Sequence, residues 1–562
     1  MDKAIDLRET KKYLVSLLKP EGGFFGVAIV YGVAISLLTL AIPIAVQTLV
    51  NSIANIGSLR AVNILAGVLF ATLLVSGIFS ALRMRVMEYY ERRVYTRLVS
   101  QLGLKTIMAP HSFFEGRRNT SITHRYFDIM TLQKNIPSLM VDGFALVLQI
   151  IVGFTLVSFY HPFLFILNMM ILLVMYLVWK IWGPGAKRTA IQLSQTKYDT
   201  AKWLSDVAAA HEFFKSSDHL DYAGRKTETF IDHYVKEHKG HFTFTFSQAV
   251  SFLLLYALAS ATLLGLGGYL VVQGQLSIGQ LVAAELIMST VFFGISRFSQ
   301  YLKLYYELYG AAQKIGSALE IPQEESYDQG AHIPSSSKLV FKRLSLSHFD
   351  DECYLDVTLD AGNKYFITTR KSWVQKQLVS YLKRFERPPK GEILLGQYSL
   401  FDYDKYELRQ AISTLDRSLI VECTIEEYLR LAAPEATIAE INSALESVGL
   451  DEVIDNLEQG VETRVSVLGA PLQPLEFLLL KLAAAVLSKP QVLILNQHFD
   501  AIPHNIKKRL LVRIAKMDCT VLYFTNMPVS GVFNATLNLQ DVLYIEDENQ
   551  PGSSYAAGDN DE

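Results

Sequence analysis

Thr369-Arg370-Lys371-Ser372-Trp373-Val374-Gln375-Lys376-Gln377 fills the junction between a short apolar strand at 365–368 and a helix expected to begin near Leu378. A strand–loop–helix junction of this kind is where an α/β fold cradles phosphate. Glycine-rich backbone wraps the oxygens, a lysine reaches the terminal phosphates, and a Ser or Thr hydroxyl holds Mg²⁺. None of these nine residues is glycine, and Gln375 stands where the lysine belongs. The position is kept while the residues that would use it are replaced.

Further apolar runs at 492–495 and 521–524 are bounded by polar or turn residues and separated by helical patterns such as 477–487. That alternation predicts a parallel α/β core buried on both faces, spanning 338–548. The remainder reads differently. Half of the 562 residues are hydrophobic and the formal net charge is only −3, a composition of polytopic membrane proteins. Cys353, Cys423 and Cys519 are too few and scattered for a disulfide framework or a Cys-rich metal site, and are expected to be reduced and structural. No removable signal peptide is expected in residues 1–20.

Residues 8–18 predict a short amphipathic helix on the membrane surface, within an N-terminal segment 1–20. Six spans then follow within 21–321, at about 22–50, 61–82, 138–160, 163–182, 249–272 and 281–295, the first kinked at Pro43. The second continues as a charged helix through Glu88, Arg92 and Arg97 to about Ile107. At 1.5 Å per residue such a helix is about 70 Å long, so about 40 Å projects beyond the bilayer. A comparable polar excursion covers 183–246, and the sixth span runs on as helix to 319. Basic residues (Lys11, Lys12, Lys19, Lys187, Arg188) gather on one side of the spans. They place both termini and both excursions in the cytoplasm. Residues 322–337 read as a linker, and 549–562 as a disordered acidic tail.

This order of elements resembles one half of an ABC exporter across nearly the whole chain: an all-α six-helix transmembrane domain followed by an α/β P-loop-NTPase-like cytoplasmic domain. His111-Ser112-Phe113-Phe114-Glu115 is similar to the family's first coupling segment. Gly279-Gln280-Leu281-Val282 and Tyr305-Tyr306-Glu307-Leu308 are similar to the sixth span of bacterial peptide and type I secretion exporters. In the cytoplasmic domain the resemblance assigns roles that these residues do not fill. His348 stands where an aromatic residue stacks on adenine. Thr369, Ser372 and Val374 bring Cβ atoms where glycine lets backbone approach phosphate; Trp373 and Gln377 belong to the same altered loop, and Lys376 replaces the Mg²⁺-binding hydroxyl. Lys371 and Lys376 do not stand in for the missing lysine, since one residue of shift on a helix turns a side chain by about 100°. Asp416 replaces the glutamine that touches Mg²⁺ and water; Gln473-Pro474-Leu475-Glu476 replaces the Ser-Gly-Gly signature; Asn496-Gln497 replaces Asp-Glu; Asn526 replaces the switch histidine. Pro474 removes a donor at an anion-binding helix end and Glu476 adds a negative charge. An amide supplies neither carboxylate charge to Mg²⁺ nor a general base.

The resemblance implies ATP and Mg²⁺ as the family's cofactors; these substitutions predict an inactive ATPase-like domain with no cofactor and no catalytic residue. It also implies a dimer, either a homodimer or a pair with a second ABC half-transporter supplying any ATP hydrolysis, in the bacterial inner membrane, with a periplasmic adaptor protein as a further partner. A membrane scaffold or regulator that transports nothing is the alternative. Glu285 within the sixth span, with Gln47 and Gln149, marks a candidate cargo cavity, and Asp142 is a weaker candidate. His233, His238 and His241 lack the spacing of a helical metal site and read as a solvated helix face, so no metal is expected. Basic residues interleave with acids, and no nucleic-acid partner is expected.

Overall fold

The computed structural model describes residues 7–39, 41–55, 59–115, 125–324, 334–349, 351–416 and 419–544. The expected acidic tail, and 325–333 of the expected linker, lie outside the described residues. The described chain forms two compact units. One runs to Gln323 except for Pro110–Ser112, and the other holds Pro110–Ser112 and the residues from Glu324 onward.

The first unit is helical: α1 (Leu7–Leu18), α2 (Gly22–Thr39), α3 (Ala41–Asn55), α4 (Leu59–Ile107), α5 (His111–Glu115), α6 (Tyr126–Ser138), α7 (Phe144–Ser158), α8 (Pro162–Ala209), α9 (Ser217–Val272) and α10 (Ile278–Leu319). Residues His111 and Ser112 at the start of α5 belong to the second unit. A π-helical turn, Leu139–Gly143, joins α6 to α7. Among the described residues, five helices are long and apolar enough to cross a membrane: α4, the joined α6–α7, α8, α9 and α10. The expected first span falls on α2 and α3, on either side of Leu40, which is outside the described residues. Pro43 sits in the first turn of α3, where its missing N–H breaks no helical bond.

Local chemistry sets these boundaries. His161 caps α8 through Nδ1, which accepts from the Phe163 N–H at 3.2 Å, and Pro162 occupies the first helical position. Ser277 and Gln280 form a reciprocal capping box that starts α10. Two buried polar ties fix the packing. Asn168 on α8 donates to the Phe154 carbonyl at 3.1 Å and to Ser158 Oγ at 2.9 Å on α7, and Gln248 on α9 lies 3.2 Å from the Tyr306 hydroxyl on α10. Gly153 lets α7 approach α10 so closely that a Cβ there would lie 2.3 Å from Val291. Apolar side chains such as Phe165, Leu254 and Leu258 are left exposed, as on a face turned to lipid.

The second unit contains β1 (Leu339–His348), β2 (Asp351–Leu359), β3 (Lys364–Thr368), α11 (Ser372–Leu382), β4 (Glu392–Leu395), β5 (Tyr398–Ser399), α12 (Lys405–Ala411), β6 (Ile412–Leu415), β7 (Cys423–Thr424), α13 (Ile425–Ala432), α14 (Ile438–Val448), α15 (Asp451–Asp455), β8 (Arg464–Val465), α16 (Pro474–Leu487), β9 (Val492–Leu495), α17 (His504–Ile514), β10 (Thr520–Phe524), β11 (Ala535–Asn538), α18 (Leu539–Val542) and β12 (Leu543–Tyr544). Strands β11-β3-β10-β9-β6 make an all-parallel sheet, and β12-β2-β1-β4-β5 an antiparallel one. Strand alternation sends Phe366, Leu493 and Tyr523 into a core with α16 and α17, and Ile367, Ile494 and Leu522 into a second core with α11 and β1. All three cysteines are buried and free.

Candidate functional site

The loop after β3 is short, because α11 begins at Ser372 and not near Leu378. Val374, Leu378, Tyr381 and Leu382 recur at helical spacing and all are buried, so helix formation carries back into the loop. With no glycine present, nothing in the sequence holds the segment open. Thr369 is buried, and its Oγ1 accepts from the Lys371 N–H at 3.1 Å. Val374 is fully buried in the core with Ile367 and Leu378. Gln377 clamps the end of β1: its Oε1 accepts from the Ser347 N–H at 3.0 Å and its Nε2 donates to the Ser347 carbonyl at 3.2 Å. Trp373 stacks on His348, with ring centroids 5.6 Å apart. Lys371 lies 3.1 Å from Asp351 and 5.7 Å from the Trp373 ring. Ser372 and Lys376 are exposed and Gln375 is half-buried.

At the end of β9, Asn496 Oδ1 accepts from the His498 N–H at 3.0 Å, capping the turn that Gln497 opens. Behind it Asp500 accepts from Tyr523, from Thr525 Oγ1 at 2.8 Å and from Lys507 at 3.4 Å, a network the sequence did not reveal. Asn526 is exposed beside it. At the start of α16, Pro474 is the first helical residue, and the Glu476 carboxylate accepts from the Gln473 N–H at 2.7 Å. A cavity of about 610 Å³ brings Asp416, Pro474 and Leu475 together with Lys481 and His498; no residue of 369–377 lines it. Lys481 donates to the Asp416 carbonyl at 3.2 Å.

Elsewhere in the second unit His111 stacks on Phe385, with centroids 4.5 Å apart. In the first unit Phe113 and Phe114 meet edge to face at 5.2 Å. The side chain of Glu115 lies outside the described residues. The three cargo-cavity candidates have separate surroundings. Gln47 accepts from Tyr160 at 3.1 Å, Glu285 accepts from Ser289 at 3.2 Å with its Oε2 buried, and Gln149 is half-buried. Asp142 pairs with Arg83 at 3.6 Å. The histidines do not share one solvated face: His233 and His238 are exposed, but His241 is buried and bonded to Thr189 at 3.0 Å, because α9 turns that residue onto α8. Among the described residues no group of three His, Cys, Asp or Glu side chains is arranged to hold a metal ion.

Five helices long and apolar enough to cross a membrane, joined in sequence to a unit built on a parallel and an antiparallel sheet, are the architecture of a multi-pass membrane protein with an α/β unit. Residues 25–296 match the model of the ABC transporter transmembrane region. The chain is similar to the leukotoxin translocation ATP-binding protein LktB of Mannheimia glucosida, 21% identical over 501 residues, covering 87% of this chain and 70% of that protein. It is also similar to the exotoxin translocation ATP-binding protein PaxB of Pasteurella aerogenes, 21% identical over 516 residues, covering 90% and 72%. Among solved structures it is similar to a bacterial Atm1-family ABC exporter with ATP bound, with a TM-score of 0.76 and 16% identity over 89% of this chain and 90% of that one. Residues 25–296 are thus similar to an ABC transporter transmembrane region, and the described chain shares the fold of that ABC exporter.

Proposed function

We propose that this chain is the catalytically silent half of an ABC-type export system, giving half of a membrane pathway and a pseudo-ATPase domain to a dimeric transporter. The observation that carries the reading is the inward closure of residues 369–377. Val374 is in the core, Gln377 is committed to Ser347, and Trp373 occupies the face of His348. ATP with Mg²⁺ does not fit these residues. A phosphate needs free N–H groups and a nearby cation, yet Thr369 takes up the Lys371 N–H, and Lys371 is paired with Asp351. The start of α16 repels anions, with Pro474 lacking an N–H and Glu476 covering that of Gln473. The P-loop-NTPase-like fold is kept for its shape, and any hydrolysis comes from a partner subunit.

The partner is a second ABC half-transporter or another copy of this chain, in the bacterial inner membrane with both termini cytoplasmic. The names of the relatives, toxin translocation proteins, favour a peptide or protein cargo, and the resemblance to secretion exporters adds a periplasmic adaptor protein as a partner. A second reading, a membrane scaffold or regulator without transport, draws on Gln47 and Glu285, which bond to Tyr160 and Ser289. The deciding experiment is to tag the chain, extract it from its own cells in mild detergent, and identify what co-purifies at equal stoichiometry. A second ABC half with intact ATP motifs supports the silent-subunit reading. Recovery of the chain alone, or with an unrelated membrane protein, overturns it in favour of the scaffold.

A further inference from the structure

The first unit contains an apolar cavity of about 430 Å³, within the size range of ligand pockets, about 300–1,000 Å³. It is lined by Leu14 and Leu18 of α1, Met140 of the π-helical turn, Trp179 of α8, and Tyr301 and Tyr305 of α10. Trp179 closes the expected fourth span and Tyr301 lies just past the sixth, so the cavity sits at the membrane boundary from which the helical extensions leave. Aromatic residues concentrate at that depth. Two of its walls, Trp179 and Tyr305, also hold a cation: the Lys187 ammonium lies 5.5 Å from the Trp179 ring, 5.2 Å from Tyr305 and 5.3 Å from Tyr309. No carboxylate pairs with Lys187 among the described residues. An ammonium with no counter-ion among the described residues is therefore held against two aromatic walls of a carbon-lined cavity.

We propose that this cavity binds one acyl chain of an anionic membrane lipid, whose headgroup pairs with Lys187. The chain takes the carbon lining between α1, α7 and α10, and the phosphate meets the ammonium that the aromatic rings hold in place. The occupant joins α1 to the extension of α10 beyond the sixth span, whose packing on α1 already depends on Gly316, where a Cβ would lie 2.2 Å from the Tyr13 ring. A zwitterionic lipid leaves the Lys187 charge uncompensated and is the weaker ligand.

The test reconstitutes the full chain in phosphatidylcholine vesicles containing a small share of phosphatidylglycerol with a diazirine in its acyl chain. A parallel set carries the diazirine on phosphatidylcholine. After illumination, digestion and mass spectrometry, the anionic probe is expected to concentrate on residues 139–147 and 298–308. Lys187→Gln lowers that labelling about fivefold, the effect of removing one cation beside an anionic lipid, and Lys187→Arg keeps it. Met140→Trp, which fills the cavity without touching the charge, lowers it as well, and unfolding temperatures confirm that each variant is folded. Equal labelling by the two lipids, or labelling spread over Leu254 and Leu258 and indifferent to Lys187→Gln, overturns the proposal.

Discussion

The indole of Trp373 lies over the imidazole of His348, centroids 5.6 Å apart and planes 23° from parallel, while Lys371 approaches the same indole at 5.7 Å. The ring on which a nucleotide base would stack is therefore already stacked on a residue of the loop that would hold the phosphates. Restoring the missing lysine alone leaves this stack intact, and Val374 still fills its core site. Gln375→Lys combined with Lys376→Ser is expected to give no Mg·ATP-dependent rise in unfolding temperature. A rise that saturates with nucleotide would show that the loop opens.

Val374 separates a packed helix from a phosphate loop. A phosphate loop needs glycine where the backbone meets the oxygens, but here the Val374 side chain is fully buried in helix α11. Val374→Gly removes core contacts and introduces a poor helix former, and is expected to cost about 3 kcal/mol. Unfolding of the full chain in detergent, followed by tryptophan fluorescence, measures it. Unchanged stability would place the loop outside the core.

Lys383 gives the second unit a pH dependence. Burial lowers its pKa to about 8, with Asp416 opposing and Arg409 adding to the shift, and its amine donates to the Arg409 carbonyl at 2.8 Å. The unfolded chain keeps this lysine protonated to about pH 10.4. Between those values the unfolded state binds more protons, so stability rises with pH across the window, and below about pH 8 both states are protonated and the dependence levels off. The difference between the parent and Lys383→Met, which does not titrate, is expected to change by about 2 kcal/mol from pH 7 to pH 10.

Glu324 anchors the start of the second unit. Arg409 holds it with two bonds of 2.9 Å, and Lys405 lies 3.4 Å away. Burial pushes the carboxyl up, but the bonds and charge of Arg409 and the charge of Lys405 outweigh it and leave the pKa below its ordinary value. A lowered folded pKa gives stability that is present above the unfolded pKa and lost as pH falls through the folded one. Arg409→Ala is expected to cost about 2 kcal/mol at neutral pH, and less once the pH falls below the lowered folded pKa, where the carboxylate is protonated in both states. A cost independent of pH would assign the loss to packing.

Elements with strong periodicity were legible in the sequence. The apolar runs at 492–495 and 521–524 became β9 and β10, and 61–107 became α4, because burial on both faces and uninterrupted helical patterning leave few alternatives. The start of α11 was misread because the loop was located by analogy with a glycine-rich segment, while the helical spacing of Val374, Leu378 and Tyr381 already pointed to Ser372. Side-chain partners across the fold were not legible. Asp500 meets Tyr523 and Thr525, and Lys187 meets Tyr305 and Tyr309, only because separate elements converge, and no local pattern announces such pairs.

The most direct measurement of the central claim is equilibrium binding of Mg·ATP to the purified full-length chain by isothermal titration calorimetry, alongside its ATPase rate. The account predicts no saturable heat at millimolar nucleotide and no hydrolysis above the background of a Lys371→Ala, Lys376→Ala variant. Saturable binding that ADP displaces, or turnover lost in that variant, would contradict it.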